Sequence, residues 1–450
     1  MDMTPQMDVP PQLSPAYVEL RRDVVINADL WSTTAKILSA DFGFEGIIGI
    51  PGLTTAADLN RAIAAGAGVN GDLAKLTPTP PLRNLTSAVH VAGLVAGGYG
   101  TPVVQADALP VVFSWPLLPS TVSPTDIAIR LNTGQVVTPL AAALNPNYDL
   151  NERNVIVVFG QFGNRLTPGT PGAIYPVSVE IVADATPLKV IGPNGPQSAV
   201  GLTAQSGNPY VAGPAMIGAR LTRFSSVGDF APATLAGDTR NDGASLYPGQ
   251  ATYRLRLLTS GGFSPDGVSN MLPTEFSRYF RLEATNADGK TVTVDRDGVT
   301  YDLGPGIGSL KVLGLAELGA AANGSTSVYG PYYREDHDNY IDIILSGDEA
   351  AIRRLATVAL PTAAVAGYSD IYTPGGPGTT PTPGTTYTKP SLPQTIAIDV
   401  RLDDQATVSH AAQTVGAYDV ADGLPVVFRL HNPGTADTVY TSSTKRALSL

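Results

Sequence analysis

Apolar and polar positions alternate over short stretches of this chain, and the alternation has the period of strands rather than of helices. Asp126 to Leu131 (DIAIRL) puts Ile127, Ile129 and Leu131 on one face. In Pro176 to Asp184, Val177, Val179 and Ile181 face one way while Ser178 and Glu180 face the other. Tyr253 to Leu257 (YRLRL) sets Arg254 and Arg256 against Tyr253, Leu255 and Leu257. Thr395 to Leu402 (TIAIDVRL) points Ile396, Ile398, Val400 and Leu402 inward. Asn154 to Phe159 is a continuous apolar run, which suits a strand covered on both sides. Turns rich in Gly, Pro, Asn and Asp separate these stretches, the punctuation of sandwiches or barrels rather than of βαβ units. Tyr279 to Leu303 predicts a three-strand antiparallel meander, its turns at Asn286-Ala287-Asp288-Gly289 and Asp295-Arg296-Asp297-Gly298.

Helical signals are few. Thr54 to Ala65 has an apolar face and a cap at Thr55. After the strand Tyr340 to Leu345, Ser346 opens a short helix: Ser346 and Glu349 have capping-box spacing, and Glu349 and Arg353 form an i,i+4 pair. The fold expected is mainly β: antiparallel, sandwich-like units of immunoglobulin or jelly-roll type, with a less regular N-terminal region and few short helices. The expected divisions are 1–105 (mixed, with one helix), 106–230 (a first sandwich-like unit) and 231–371 (a second β unit with an acidic cluster). A Gly/Pro/Thr linker or long loop at 372–393 and C-terminal strands at 394–450 follow. The last segment is marginal as an independent unit and could instead add strands to an earlier one. An octet starting at Ala106 (ADALPVVF) recurs from Ala421 (ADGLPVVF), which predicts two similar strands with the same entry.

Composition narrows the classes. The 450 residues carry a net charge of −11 and no Cys, which excludes disulfides, thiolate metal sites and a thiol nucleophile. The acidic balance argues against nucleic acid as a partner. No apolar run is long enough for a membrane-spanning helix. The first residues, MDMTPQMDVPPQLSP, lack the basic region of a signal peptide. The expected location is extracellular or periplasmic in mature form, with the cytoplasm left open.

The densest polar cluster is Arg334-Glu335-Asp336-His337-Asp338-Asn339-Tyr340-Ile341-Asp342. On an extended chain Asp336, Asp338 and Asp342 share a face, where their mutual repulsion would be relieved by a hard cation. They are therefore calcium candidates, with His337 joining only for a transition metal; the competing reading is a solvated loop. Calcium is the only cofactor expected. Asp238 to Gly243 has calcium-loop residue types but no recognised spacing and reads better as a turn, and Asp295, Asp297 and Asp302 are accounted for by the hairpins. The histidines His90, His337, His410 and His431 show no metal-ligand spacing. No G-x-S-x-G motif occurs, and in Gly262 to Gly267 a Pro follows the Ser, removing an oxyanion donor. Catalytic residues are therefore not identified. Glu152, Asp266, Glu275 and Asp342 are available for paired-carboxylate chemistry, with nothing to select among them. Tyr329, Tyr332, Tyr333 and Tyr340 around the acidic cluster suit a carbohydrate or protein surface partner, or an ordinary sheet edge.

The function expected from these features is a non-catalytic, exported bacterial binding or surface-structural protein, stabilised by calcium. One alternative is a hydrolase or lyase with a cleft lined by Asp, Glu, Tyr and Arg, assisted by metal. A further alternative is a self-assembling coat or appendage subunit, suggested by the extended N-terminal segment and the Thr/Pro/Gly stretch.

Overall fold

The computed structural model describes residues 20–41, 107–144, 147–160, 162–163, 168–208, 211–230, 242–263, 269–318, 333–334, 339–373, 389–411, 426–430, 434, 436 and 438–442. The helix at Thr54 to Ala65, the residues Asp336, His337 and Asp338, and most of the Gly/Pro/Thr stretch lie outside them.

The protein is mainly β, with several antiparallel sheets and a few one-turn helices. Two large hydrophobic clusters organise it. The first draws on residues from Ile37 to Ala199. Two four-stranded sheets contribute to it. One sheet runs in the order Ile37–Ser39, Asp107–Phe113, Val155–Gly160 and Ala141–Ala143, and gives Leu109, Phe113, Ile156 and Val158 to the cluster. The other runs Thr203–Gln205, Pro176–Ile181, Ile127–Leu131 and Val136–Val137, and gives Ile127, Ile129, Val179 and Ile181. The expected alternations at 126–131 and 176–184 therefore point their apolar sides into one core. Pro110 stands inside an inner strand, but Ile37–Ser39 pairs only with Val112 and Phe113, so the missing proline N–H deprives no ladder on that side.

The second cluster draws on residues from Met216 to Leu402. Its six-stranded sheet has the order Thr300–Asp302, Ser309–Ala316, Tyr340–Gly347, Tyr253–Thr259, Met216–Arg223 and Asp399–Val400. A four-stranded sheet, in the order Thr291–Val294, Arg281–Thr285, Leu355–Leu360 and Gln394–Ala397, supplies Leu282, Val294, Val358 and Leu360 to the same cluster.

Three local expectations change in the structure. The meander is a hairpin only: Arg281–Thr285 pairs with Thr291–Val294, but Thr300–Asp302 leaves to pair with Ser309–Ala316 in the other sheet. Local turn signals fix the reversal of the chain but not which sheet receives the next strand. The helix cap moves as well. The preceding strand continues through Gly347, so Asp348 is the N-cap and the helix is Glu349–Ile352. Glu349 and Arg353 do pair, at 2.7 Å. Finally, Thr395 to Leu402 is not one strand. Gln394–Ala397 pairs with Leu355–Leu360, and Asp399–Val400 runs parallel to Met216–Arg223, so the chain changes sheet at Ile398. Its alternation still holds, with Ile398 and Leu402 buried in the shared core.

Strand Val24–Asp29 pairs antiparallel with Thr407–Ala411, joining distant parts of the chain.

Candidate metal centre

The site begins with a row of charges across the six-stranded sheet. Asp399 lies opposite Arg220, Arg220 opposite Arg256, Arg256 opposite Asp342, and Asp342 opposite Ala316. Cross-strand neighbours share a face, so these side chains project together. The alternation that sends Leu221, Leu255, Leu257, Ile343 and Leu345 into the apolar core sends Arg220, Arg254, Arg256 and Asp342 the other way. That second face is not open to water: Arg256 is 2 % exposed. Strand Val24–Asp29, the loop 147–154 and the segment 224–230 cover it.

The guanidiniums are held in fixed geometry. Arg256 Nε donates to Asp342 Oδ1 at 2.8 Å and its Nη2 to Asp342 Oδ2 at 2.9 Å. The same Nη2 lies 3.3 Å from Glu152 Oε1. Arg254 Nη1 donates to both oxygens of Asp229, at 2.7 and 2.8 Å. Arg220 bridges Asp29 and Asp399, each at 3.1 Å, and its Nη2 donates to Leu30 O at 2.7 Å. Two aromatic rings finish the enclosure, Trp31 against Arg220 and Tyr340 against Arg256, each 4.9 Å from ring centroid to guanidinium carbon. Burial opposes the charge of Arg256, but Asp342 and Glu152 outweigh it and push the guanidinium pKa up. It stays charged.

The covering loop is pinned by its own arginine. Arg153 donates to the carbonyls of Asn147 at 2.5 Å and Tyr148 at 2.9 Å. Backbone bonds lace the loop to its surroundings: Ile26 N to Leu150 O at 2.9 Å, and Asn151 N to Gly228 O at 3.2 Å. Gly228 has φ +97°, and a Cβ there would fall 2.2 Å from Ile26 O, so only glycine allows this approach.

This packing brings Asp149, Glu152 and Glu317 together, with one carboxylate oxygen of each within 4.8 Å of the others. Glu317 follows directly on the strand ending at Ala316, and its φ of 51° is unusual for a non-glycine residue. Asp149 Oδ1 and Glu317 Oε1 are buried and accept no hydrogen bond. Burial, then the repulsion of Glu152 and Asp229, pushes the Asp149 carboxyl well up. Burial and the charges of Glu152 and Asp149 do the same to Glu317. Three carboxylates so placed can hold a metal ion.

Of the residues singled out in the sequence, Asp342 is described and is engaged with Arg256 and Arg254. Asp336, His337 and Asp338 lie outside the described residues. Among the four available carboxylates, Glu152 and Asp342 meet on Arg256, Glu275 sits elsewhere beside Arg278, and Asp266 is outside the described residues. Asp242 serves as the cap of helix Gly243–Leu246. Asp149 and Glu317 were not singled out. A local signal for Asp149 does exist: Asn147, Asp149 and Asn151 carry side-chain oxygens at every second position. Glu317 stands alone in GLAELGAA and has no such signal.

Comparison of the chain with family models, with curated proteins and with solved structures finds no match. No helix among the described residues is long and apolar enough to cross a membrane.

Proposed function

We propose that this chain is a non-catalytic, exported binding or surface-structural protein, built of sandwich-like units whose contact is a buried charged seam. One observation carries the reading. Among the described residues, a large collection of titratable groups is closed to solvent, with Glu152 at 1 % and Asp342 at 0 % exposure. A catalytic cluster needs a cleft through which substrate reaches it. Here the carboxylates and guanidiniums instead satisfy one another, and the aromatic rings of Trp31 and Tyr340 lie against them. Export is supported by the absence of Cys and by the Gly/Pro/Thr-rich stretch, which reads as a spacer.

The substitution Asp342→Asn tests the reading through stability. In a structural seam it takes a charged partner from Arg256 and lowers stability by about 3–5 kcal/mol. Urea unfolding reads this directly. An unchanged or higher stability would overturn the reading, because removing a charged residue from an active site commonly relieves strain.

A further inference from the structure

Among the described residues the seam buries six carboxylates, Asp29, Asp149, Glu152, Asp229, Glu317 and Asp342. It buries four guanidiniums among them, Arg153, Arg220, Arg254 and Arg256. With every one of these groups ionised, the excess would be two negative charges. It is localised, because Asp29, Asp229 and Asp342 each face a guanidinium. The surplus falls on Asp149 and Glu317, at 5 % and 4 % exposure, each with an oxygen that accepts no hydrogen bond. A buried carboxylate stays ionised only when it is paired or coordinates a metal, and otherwise takes up a proton.

We propose that Asp149, Glu152 and Glu317 bind one calcium ion, which closes the charged seam from within. The proposal rests on the reading of the seam as structural. A divalent cation balances Asp149 and Glu317 once both are ionised. The donor set is entirely carboxylate oxygen, which selects a hard cation over zinc or copper. Calcium holds oxygens at about 2.3–2.6 Å, so two ligands on opposite sides of it lie about 4.6–5.2 Å apart. Three oxygens within 4.8 Å of one another can therefore share one ion. Magnesium prefers to keep several waters and suits a buried, dry site poorly. The ion would tie the loop 147–154, which packs against the first cluster, to the end of a strand from the second. Arg256 lies beside Glu152 and opposes a cation there, so Asp149 and Glu317 are the dominant ligands.

The test uses the full chain. Metal content is measured by mass spectrometry as purified. The protein is then stripped with EDTA, returned to chelator-free buffer and titrated with calcium chloride by calorimetry, with melting curves before and after. The expected result is one calcium per chain and a melting temperature that rises with free calcium, as a ligand of the native state requires. Glu317→Gln abolishes both responses yet melts no lower than the stripped parent, since a neutral amide carries no charge for burial to oppose. Asp149→Asn is the second variant should Glu317→Gln fail to fold. Absence of a calorimetric and a thermal response to millimolar calcium in the stripped parent overturns the proposal. So does a response retained in either variant, which would put the ion elsewhere, or a response to magnesium alone. A failed calcium titration beside a destabilised Asp342→Asn variant would remove the ion and leave the structural seam standing.

Discussion

The two faces of the six-stranded sheet solve the problem of burial in opposite ways. One face packs Leu221, Leu255, Leu257, Val312, Ile343 and Leu345 against a second sheet. Each such side chain contributes about 1.5–3 kcal/mol by leaving water, and none depends on a particular partner. The other face buries Arg220, Arg254, Arg256 and Asp342. Each of these ions costs several kcal/mol to desolvate, an amount recovered only where partners stand in the correct geometry. Arg220 and Arg256 are even direct cross-strand neighbours, a repulsive arrangement relieved by Asp399 on one side and Asp342 on the other. The apolar face thus supplies stability, and the charged face discriminates among registers. A shift of one residue would put Leu255 and Leu257 under the covering loop and leave the arginines in the apolar core.

Adjacent residues on the two faces give the largest effects. Arg256→Ala strands Asp342 and Glu152 and is expected to cost about 3–5 kcal/mol in urea unfolding. Leu255→Ala, its neighbour in sequence, loses packing that surrounding side chains can partly refill, at about 2–5 kcal/mol. A Leu255→Ala loss clearly exceeding that of Arg256→Ala would erase the distinction between the faces.

Asp126, directly before the strand Ile127–Leu131, gives a smaller effect. Its oxygens accept the N–H groups of Leu188 at 3.0 Å and Ser123 at 2.8 Å. Burial, followed by the repulsion of Asp184, pushes its pKa up to about 8, and those N–H groups and the charge of Arg21 offset this only in part. The folded protein therefore holds a proton that the unfolded chain releases near pH 3.8. Its contribution to stability is complete below that pH and is lost as the pH climbs toward and through about 8. Stability measured across this window should fall with rising pH more steeply in the parent than in Asp126→Asn. Parallel curves would show that Asp126 stays ionised in the fold.

The smallest effect belongs to the surface. Arg353 bonds Glu349 at 2.7 Å and Asp403 at 2.6 Å, with all three in contact with water. Arg353→Ala should leave the melting temperature unresolved from the parent, because exposed pairs are screened and entropically costly. A drop approaching that of Arg256→Ala would mean that burial is not what gives the seam its weight.

Much of the fold was legible in the sequence where the decisive information was local. The alternation at Tyr253 to Leu257 assigned both arginines to one face, and Tyr340 and Asp342 share a face for the same reason. What the alternation could not convey was a second covering. A polar face on an antiparallel sheet ordinarily meets water. Here its lid comes from Asp29 and Glu152, remote in sequence from the strands they cover, and from Asp229, just beyond the end of Met216–Arg223. The same limit applies to the metal-binding group. Asp149 and Glu152 lie in a turn whose oxygen spacing was visible but ordinary, and Glu317 joins them only through the path of its strand. The departure of Thr300–Asp302 to another sheet was likewise hidden, since hairpin turns report direction and not destination.

The pairing of Val24–Asp29 with Thr407–Ala411 has a mechanical consequence. Val24 stands opposite Ala411, and Asp29 opposite Thr407. Tension applied through residues 24 and 411 therefore loads the ladder as a zipper, parting its hydrogen bonds one after another rather than shearing them together. The peeling front travels toward Asp29, where Arg220 grips the carboxylate from the six-stranded sheet at 3.1 Å. The ladder parts bond by bond, and the seam acts as its latch.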